Sequence, residues 1–214
     1  LRYEVAESLT KQLQLQTQCK IELNSCVGTF PTITPFGMAA LLPHQELSLV
    51  LNNDKLAVLA DGQFTGSNYR EKILQKANPE SVVLKTSDVI KMQRSDRKDK
   101  VKGKEVVYLY QDIIDKCGHD DEENVFGACD KTIEELITVV KIITNDFGGI
   151  NVIITSDHGF LYTYDPLTED DKLSKTSFND QIVENGRRYA IVKKGAKPEY
   201  LQQVKLLSGQ SDFE

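Results

Sequence analysis

The sequence predicts an α/β fold built on a mostly parallel sheet, and three observations point to it. First, Val106–Tyr110 (VVYLY) and residues 150–154 (INVII) are short apolar runs rich in β-branched and aromatic residues. That is the composition of strands buried on both faces, as parallel strands are. Second, between them residues 132–147 carry Ile133, Leu136, Ile137, Val140 and Ile143 at a helical period and end at Gly148-Gly149. A helix there would return the chain to the next strand as a βαβ unit. Third, each run delivers an Asp and a His just beyond its carboxyl end: Asp115 with His119, and Asp157 with His158. Ligands of open α/β sheets bind at that end of the strands.

Composition narrows the class. The chain has 214 residues, 40% of them apolar and 27% charged, as expected of a folded domain rather than a disordered or membrane-spanning one. No apolar run approaches the ~20 residues of a membrane helix. The opening Leu1-Arg2-Tyr3-Glu4 has no methionine and falls inside a helical pattern, so the chain reads as an excised fragment whose preceding strand is missing. A net charge of −6 and a pI near 5.2 argue against general binding of polyanions. The charge is uneven, with seven Lys or Arg between residues 91 and 104 and four acids at 120–123. Either run reads as a solvated face, and the basic one would alternatively line a phosphate-bearing substrate. Cys19, Cys26, Cys117 and Cys129 form no C-x-x-C pair, and reduced thiols in a cytoplasmic protein are expected.

In chain order, Leu1, Val5, Leu9 and Leu13 mark one face of a first helix, and residues 21–27 read as a short strand ending in a Gly28-to-Pro31 turn. At Thr34-Pro35-Phe36-Gly37, Pro35 suits the first position of a helix running to Leu42, which makes Thr34 its N-cap. A hydroxyl there is either a plain cap or part of an anion site whose dipole favours its alkoxide form. Residues 47–51 and 56–60 read as a hairpin around Asn52-Asn53-Asp54, residues 69–77 as a helix and Ser81–Lys85 as a strand. The basic stretch is expected to be mobile. After the Ile150 run, residues 186–192 read as a strand and 197–207 as a short helix. Residues 1–163 are expected to form the core and 164–214 a peripheral subdomain or insertion.

The chemistry lies in the constellation. Asp157-His158-Gly159 would suit a metal site, since carboxylate and imidazole ligate zinc and other divalent transition metals, although Asp157 would serve equally as a turn cap. Asp115 and His119, four residues apart, could meet one metal from a single helical turn, or simply end a solvated helix. Two Asp-His pairs and a hydroxyl are the parts of a two-metal phosphotransfer site, in which metals clamp the attacking and leaving oxygens and lower the pKa of the Thr34 hydroxyl.

Three runs in this order, FPTITPFGMAALLPH, VVYLYQDIIDKCGHD and NVIITSDHGFLY, resemble the PglZ domain of BREX-type phage-defence proteins in the alkaline phosphatase superfamily. The opening LRYEVAESL is similar as well, and the resemblance runs to about Ala196. It implies an alkaline-phosphatase-like three-layer sandwich, truncated here at both ends. It implies Thr34 as nucleophile and metal ligand, Asp157 and His158 as ligands of the metal beside it, and Asp115 and His119 as ligands of a second ion. The implied cofactors are two divalent ions, zinc or manganese. The implied activity is phosphomonoester or phosphodiester hydrolysis through a phosphothreonine, on a substrate such as a nucleic acid or nucleotide, alongside other phage-defence proteins and away from any membrane. Family members commonly carry His at the position of Gln111 and often Asp at that of His119, and no His follows His158. With an Asp expected before Leu1 also absent, weak metal binding and little activity are expected of this fragment. A catalytically inactive scaffold of a defence complex is the alternative.

Overall fold

The computed structural model describes residues 2–53, 55–120, 124–149, 151–160, 168, 182–186 and 189–195. In chain order the elements are α1 (Tyr3–Gln16), α2 (Thr34–Leu41), β1 (Leu47–Asn52), β2 (Lys55–Ala60), β3 (Gln63–Phe64), α3 (Ser67–Ala77), β4 (Ser81–Lys85), α4 (Thr86–Lys91), α5 (Arg94–Val101), β5 (Val106–Tyr110), α6 (Ile113–Asp120), α7 (Val125–Ile142), β6 (Ile182–Asn185) and β7 (Ala190–Val192). They group into two compact units, residues 1–26 with 74–156 and residues 27–73 with 157–214.

In the first unit, the every-fourth-residue apolar face of α1 buries Val5, Leu9 and Leu13. Leu9 and Leu13 pack with Ile137 and Val140 of α7, and Ile21 and Ile154 lie against the same cluster. The long helix begins at Val125, ahead of the expected 132, and runs into a π-helical turn at Ile143–Phe147. Gly148 ends it in the left-handed conformation, at φ 70° and ψ 25°, as the double glycine implied. The β4 and β5 strands pair in parallel, Ser81 opposite Val106 and Lys85 opposite Tyr110, with α4 and α5 in the crossover between them.

Several expectations change here. The basic stretch, expected to be mobile, begins on the last residue of α4 and is helical through α5. The π-helical turn explains it: Asp146 takes Arg94 Nε and Arg97 Nη1, each at 2.9 Å, and Arg97 also donates to the carbonyls of Val89 and Ile90, both at 2.8 Å. Residues 21–27 and 151–154 are not strands. Ile153, in the run expected to be buried on both faces, is 90% exposed, Val27 is 88% exposed, and neither run has a ladder partner among the described residues. Hydrophobic composition favours a strand only where a neighbour supplies the hydrogen bonds. Among the described residues, β4–β5 is thus the only parallel pairing, and a mostly parallel sheet within a three-layer sandwich is not seen. The architecture is mixed α/β with small sheets.

The second unit is organised around the hairpin. Strands β1 and β2 pair from Leu47↔Ala60 to Asn52↔Lys55, and β3 adds antiparallel to β2. Alternation puts Leu47, Leu49, Val58 and Ala60 on one face, where Phe36 and Ala39 of α2 and Ile191 of β7 close the core. Asp61, at φ 47°, clamps the hairpin base by accepting the Gln45 and Glu46 amides at 3.0 and 2.9 Å. Of the run 186–192, expected as a strand, Ala190–Val192 form β7, which pairs antiparallel with β6. The expected helix at 197–207 and the boundary at 163 lie outside the described residues.

Candidate active site at the start of the second helix

Helix α2 positions the nucleophile candidate. Its N-cap is Ile33, whose carbonyl accepts Phe36 N–H at 3.1 Å and Gly37 N–H at 3.0 Å, and no side chain caps it. Thr34 therefore occupies the first helical position, one residue inside the expected cap. The correction matters chemically, because a capping hydroxyl is occupied by backbone N–H groups. The Thr34 hydroxyl instead lies 3.1 Å from His158 Nε2, across 124 residues of sequence.

His158 is held from its other side. Its Nδ1 is 2.8 Å from the carbonyl of Gly159. A carbonyl oxygen only accepts, so Nδ1 carries a proton, and in the tautomer protonated there alone Nε2 is an acceptor. Thr34 then donates its O–H to Nε2. Asp157 Oδ2 lies 3.5 Å from the same Nε2, and the two side chains are 18% and 19% exposed. A hydroxyl, a carboxylate and an imidazole lone pair thus converge in one partly buried place within the second unit.

That donor set fits a divalent ion. Hard oxygen donors with a neutral imidazole suit zinc or manganese. The Nδ1–H bond to a main-chain carbonyl is the outer-shell contact that fixes the tautomer of ligating histidines. Among the described residues, no three His, Cys, Asp or Glu side chains gather as a metal cluster, so the fit rests on two side-chain ligands plus the hydroxyl.

The other predicted pair lies in the first unit. Asp115 is exposed in the first turn of α6, and His119 sits four residues later in the same helix, so both occupy one helical turn as the spacing predicts. Just before α6, the buried Gln111 Nε2 has no hydrogen-bond partner among the described residues. Asp112 accepts Lys116 twice, through its main-chain carbonyl at 3.0 Å and its carboxylate at 2.7 Å, and so tethers the start of the helix.

One residue of the site escapes a motif reading. Gly37 is buried in α2 directly against the main chain of Asp157. Its signal was present, since a glycine inside a helical run of good formers marks a close approach.

The fold is thus mixed α/β, and the start of α2 brings Thr34 to the Asp157-His158 pair. The chain belongs to the PglZ family: the model of the BREX system PglZ alkaline phosphatase-like domain matches residues 1–212. It is 34% identical over 194 residues to the alkaline phosphatase-like protein BrxZ of Escherichia coli O9:H4 (strain HS), covering 89% of this chain and 22% of that protein. It is 32% identical over 193 residues to the alkaline phosphatase-like protein PglZ of Bacillus cereus (strain H3081.97), with the same coverage of 89% and 22%. The chain therefore spans about a fifth of the length of these relatives. No solved structure matches. Among the described residues, no helix is long and apolar enough to cross a membrane.

Proposed function

We propose that this chain is the nucleophile-bearing part of a metal-dependent phosphoesterase, acting on phosphodiesters such as nucleic acid or nucleotides within a cytoplasmic phage-defence system. The observation that carries the reading is the Thr34 Oγ1 contact with His158 Nε2 beside the Asp157 carboxylate. In this reading Asp157 and His158 hold one divalent ion next to Thr34, Asp115 and His119 hold a second, and both are zinc or manganese. Bound metal would supply charge neutralisation at the phosphoryl oxygens and a lowered pKa for the attacking hydroxyl. The whole protein would complete the three-layer sandwich, of which residues 1–163 are core and 164–214 peripheral.

The chain's own residues then do the following. Thr34 Oγ1 attacks phosphorus, forming its P–O bond as the ester P–O bond breaks, and its hydroxyl proton ends on the departing alcohol. Water then cleaves the threonine–phosphorus ester, which returns the hydroxyl and releases the phosphomonoester left from a diester. Gly159 holds the His158 ring through its carbonyl, so Nε2 stays aimed at the reacting oxygen without reorganisation.

The test is hydrolysis of bis-p-nitrophenyl phosphate and p-nitrophenyl phosphate by the full-length protein with zinc or manganese. Turnover is expected to need the metal and to fall at least ~100-fold in Thr34→Ala and Asp157→Ala, the scale of losing a group that acts in the transition state. The ratio of the two wild-type rates assigns diester or monoester. A second reading, a scaffold that keeps the fold and partners other defence proteins, draws on Gln111 standing where relatives of this family commonly place a His. A folded, metal-loaded protein without turnover on either ester would establish it.

A further inference from the structure

We propose that Gly37 is a positioning residue for the Thr34–Asp157–His158 site, because its bare Cα lets the Asp157 main chain lie directly on α2. The proposal rests on the reading of those three residues given above. A glycine inside a helix costs up to ~1 kcal/mol relative to alanine, so its use calls for a local reason. Conformation is not that reason, since Gly37 lies within α2 and has no positive φ.

Space is. A Cβ at Gly37 would lie 2.6 Å from the Asp157 carbonyl carbon and 3.0 Å from its Cα, and closer still to the carbonyl oxygen. All three are main-chain atoms, so no rotamer of Asp157 relieves the contact. The helix has no room to retreat, because Phe36 and Ala39 are 2% and 0% exposed in the hairpin core. What must move is the 157–159 segment. Thr34 and Gly37 are i and i+3 and share one face of α2. That face therefore offers a hydroxyl for the His158 ring and, one turn on, a bare Cα for the preceding carbonyl. Removing the second fit displaces the first.

The experiment is Gly37→Ala in the full-length protein, with Gly66→Ala as control because its nearest neighbour would be the Tyr69 ring at 3.8 Å, an ordinary contact. Three quantities are read: thermal unfolding, manganese affinity by equilibrium dialysis, and deuterium exchange over residues 155–160. Gly37→Ala is expected to unfold within a few degrees of wild type, lose at least ~10-fold in manganese affinity and exchange faster at 155–160, since losing a group that orients a metal ligand costs about 10–100-fold. The control is expected to match wild type. Manganese affinity within twofold of wild type in folded Gly37→Ala overturns the proposal, as does a drop in melting temperature with unchanged affinity. Should the variant not fold, a high-resolution wild-type map decides, and a Gly37 Cα standing clear of the Asp157 carbonyl overturns it. Exchange at 155–160 reports positioning even if no ester is turned over, which separates failure of this inference from failure of the phosphoesterase reading.

Discussion

The Asp146 anchor should split into one strong and one weak ion pair. Asp146 receives Arg94 and Arg97 at the same 2.9 Å, but the side chains differ in burial: Arg97 is 15% exposed and Arg94 67%, against 10% for Asp146. Removing one partner of a buried pair strands the other charge and costs about 3–5 kcal/mol. Arg97 keeps the Val89 and Ile90 carbonyls, so Asp146→Asn belongs near the low end, about 3 kcal/mol. In double-mutant cycles with Asp146→Asn, Arg97→Met should couple by about 2 kcal/mol. Arg94→Met should couple by less than about 1 kcal/mol, as exposed pairs do. Urea unfolding followed by far-UV circular dichroism gives each energy. Raising salt from ~0.05 to ~0.5 M should erase the Arg94 coupling and largely spare that of Arg97. Equal couplings, or an Arg97 term under about 0.5 kcal/mol, would refute the assignment of α5's order to this buried pair.

Three further outcomes follow from burial. Phe36→Ala should destabilise the protein by about 3–5 kcal/mol, the cost of a large cavity, measured by urea unfolding; a loss under ~1 kcal/mol would mean that α2 is not anchored on the hairpin. Cys129 is 4% exposed, and its burial pushes the thiol above its ordinary value of 9.0, with Asp130 adding to the shift. A raised folded pKa gives stability that is complete below the unfolded value and fades as pH rises through the folded one. Stability should therefore decline above about pH 9, and Cys129→Ala should remove part of that slope. Ellman's reagent should label exposed Cys19 and Cys26 first and Cys129 only on unfolding. Rapid labelling of Cys129 in the native protein would contradict its place in the core.

Elements whose signal lies in their own local pattern were legible. The Leu47–Asn52 and Lys55–Ala60 hairpin follows from alternation around an Asn-rich turn, and α1 from its every-fourth apolar residue. The 21–27 and 150–154 runs misled because periodicity reports what a segment would bury and is silent about who pairs with it. The basic stretch misled for a related reason. Its order comes from Asp146, tens of residues away, and no local pattern in RSDRKDKV announces that partner. At the site, the residue types were legible and the geometry was not. Thr34 stood out as a hydroxyl before Pro35, but its meeting with His158 depends on the fold of the second unit.

Helix α2 divides its eight residues between two tasks, and the division bears on whether the site is a working one. Phe36 and Ala39 face the hairpin and hold the helix in place. Thr34 and Gly37 face the Asp157–His158 segment. Stability of the unit needs only the first pair. A fold kept solely as a scaffold would gain from alanine at position 37 in helix propensity, and nothing in it would require a hydroxyl at the first helical position, where Ile33 already serves as the cap. The chain instead carries a helix-weakening glycine and a threonine whose hydroxyl caps nothing on the same face, each matched to an atom of the Asp-His segment. Local choices that oppose stability and agree with one another are where a site is expected to lie. The two faces are therefore separable by experiment: substitutions at Phe36 should act through unfolding, and substitutions at Thr34 should act on turnover in a protein that remains folded.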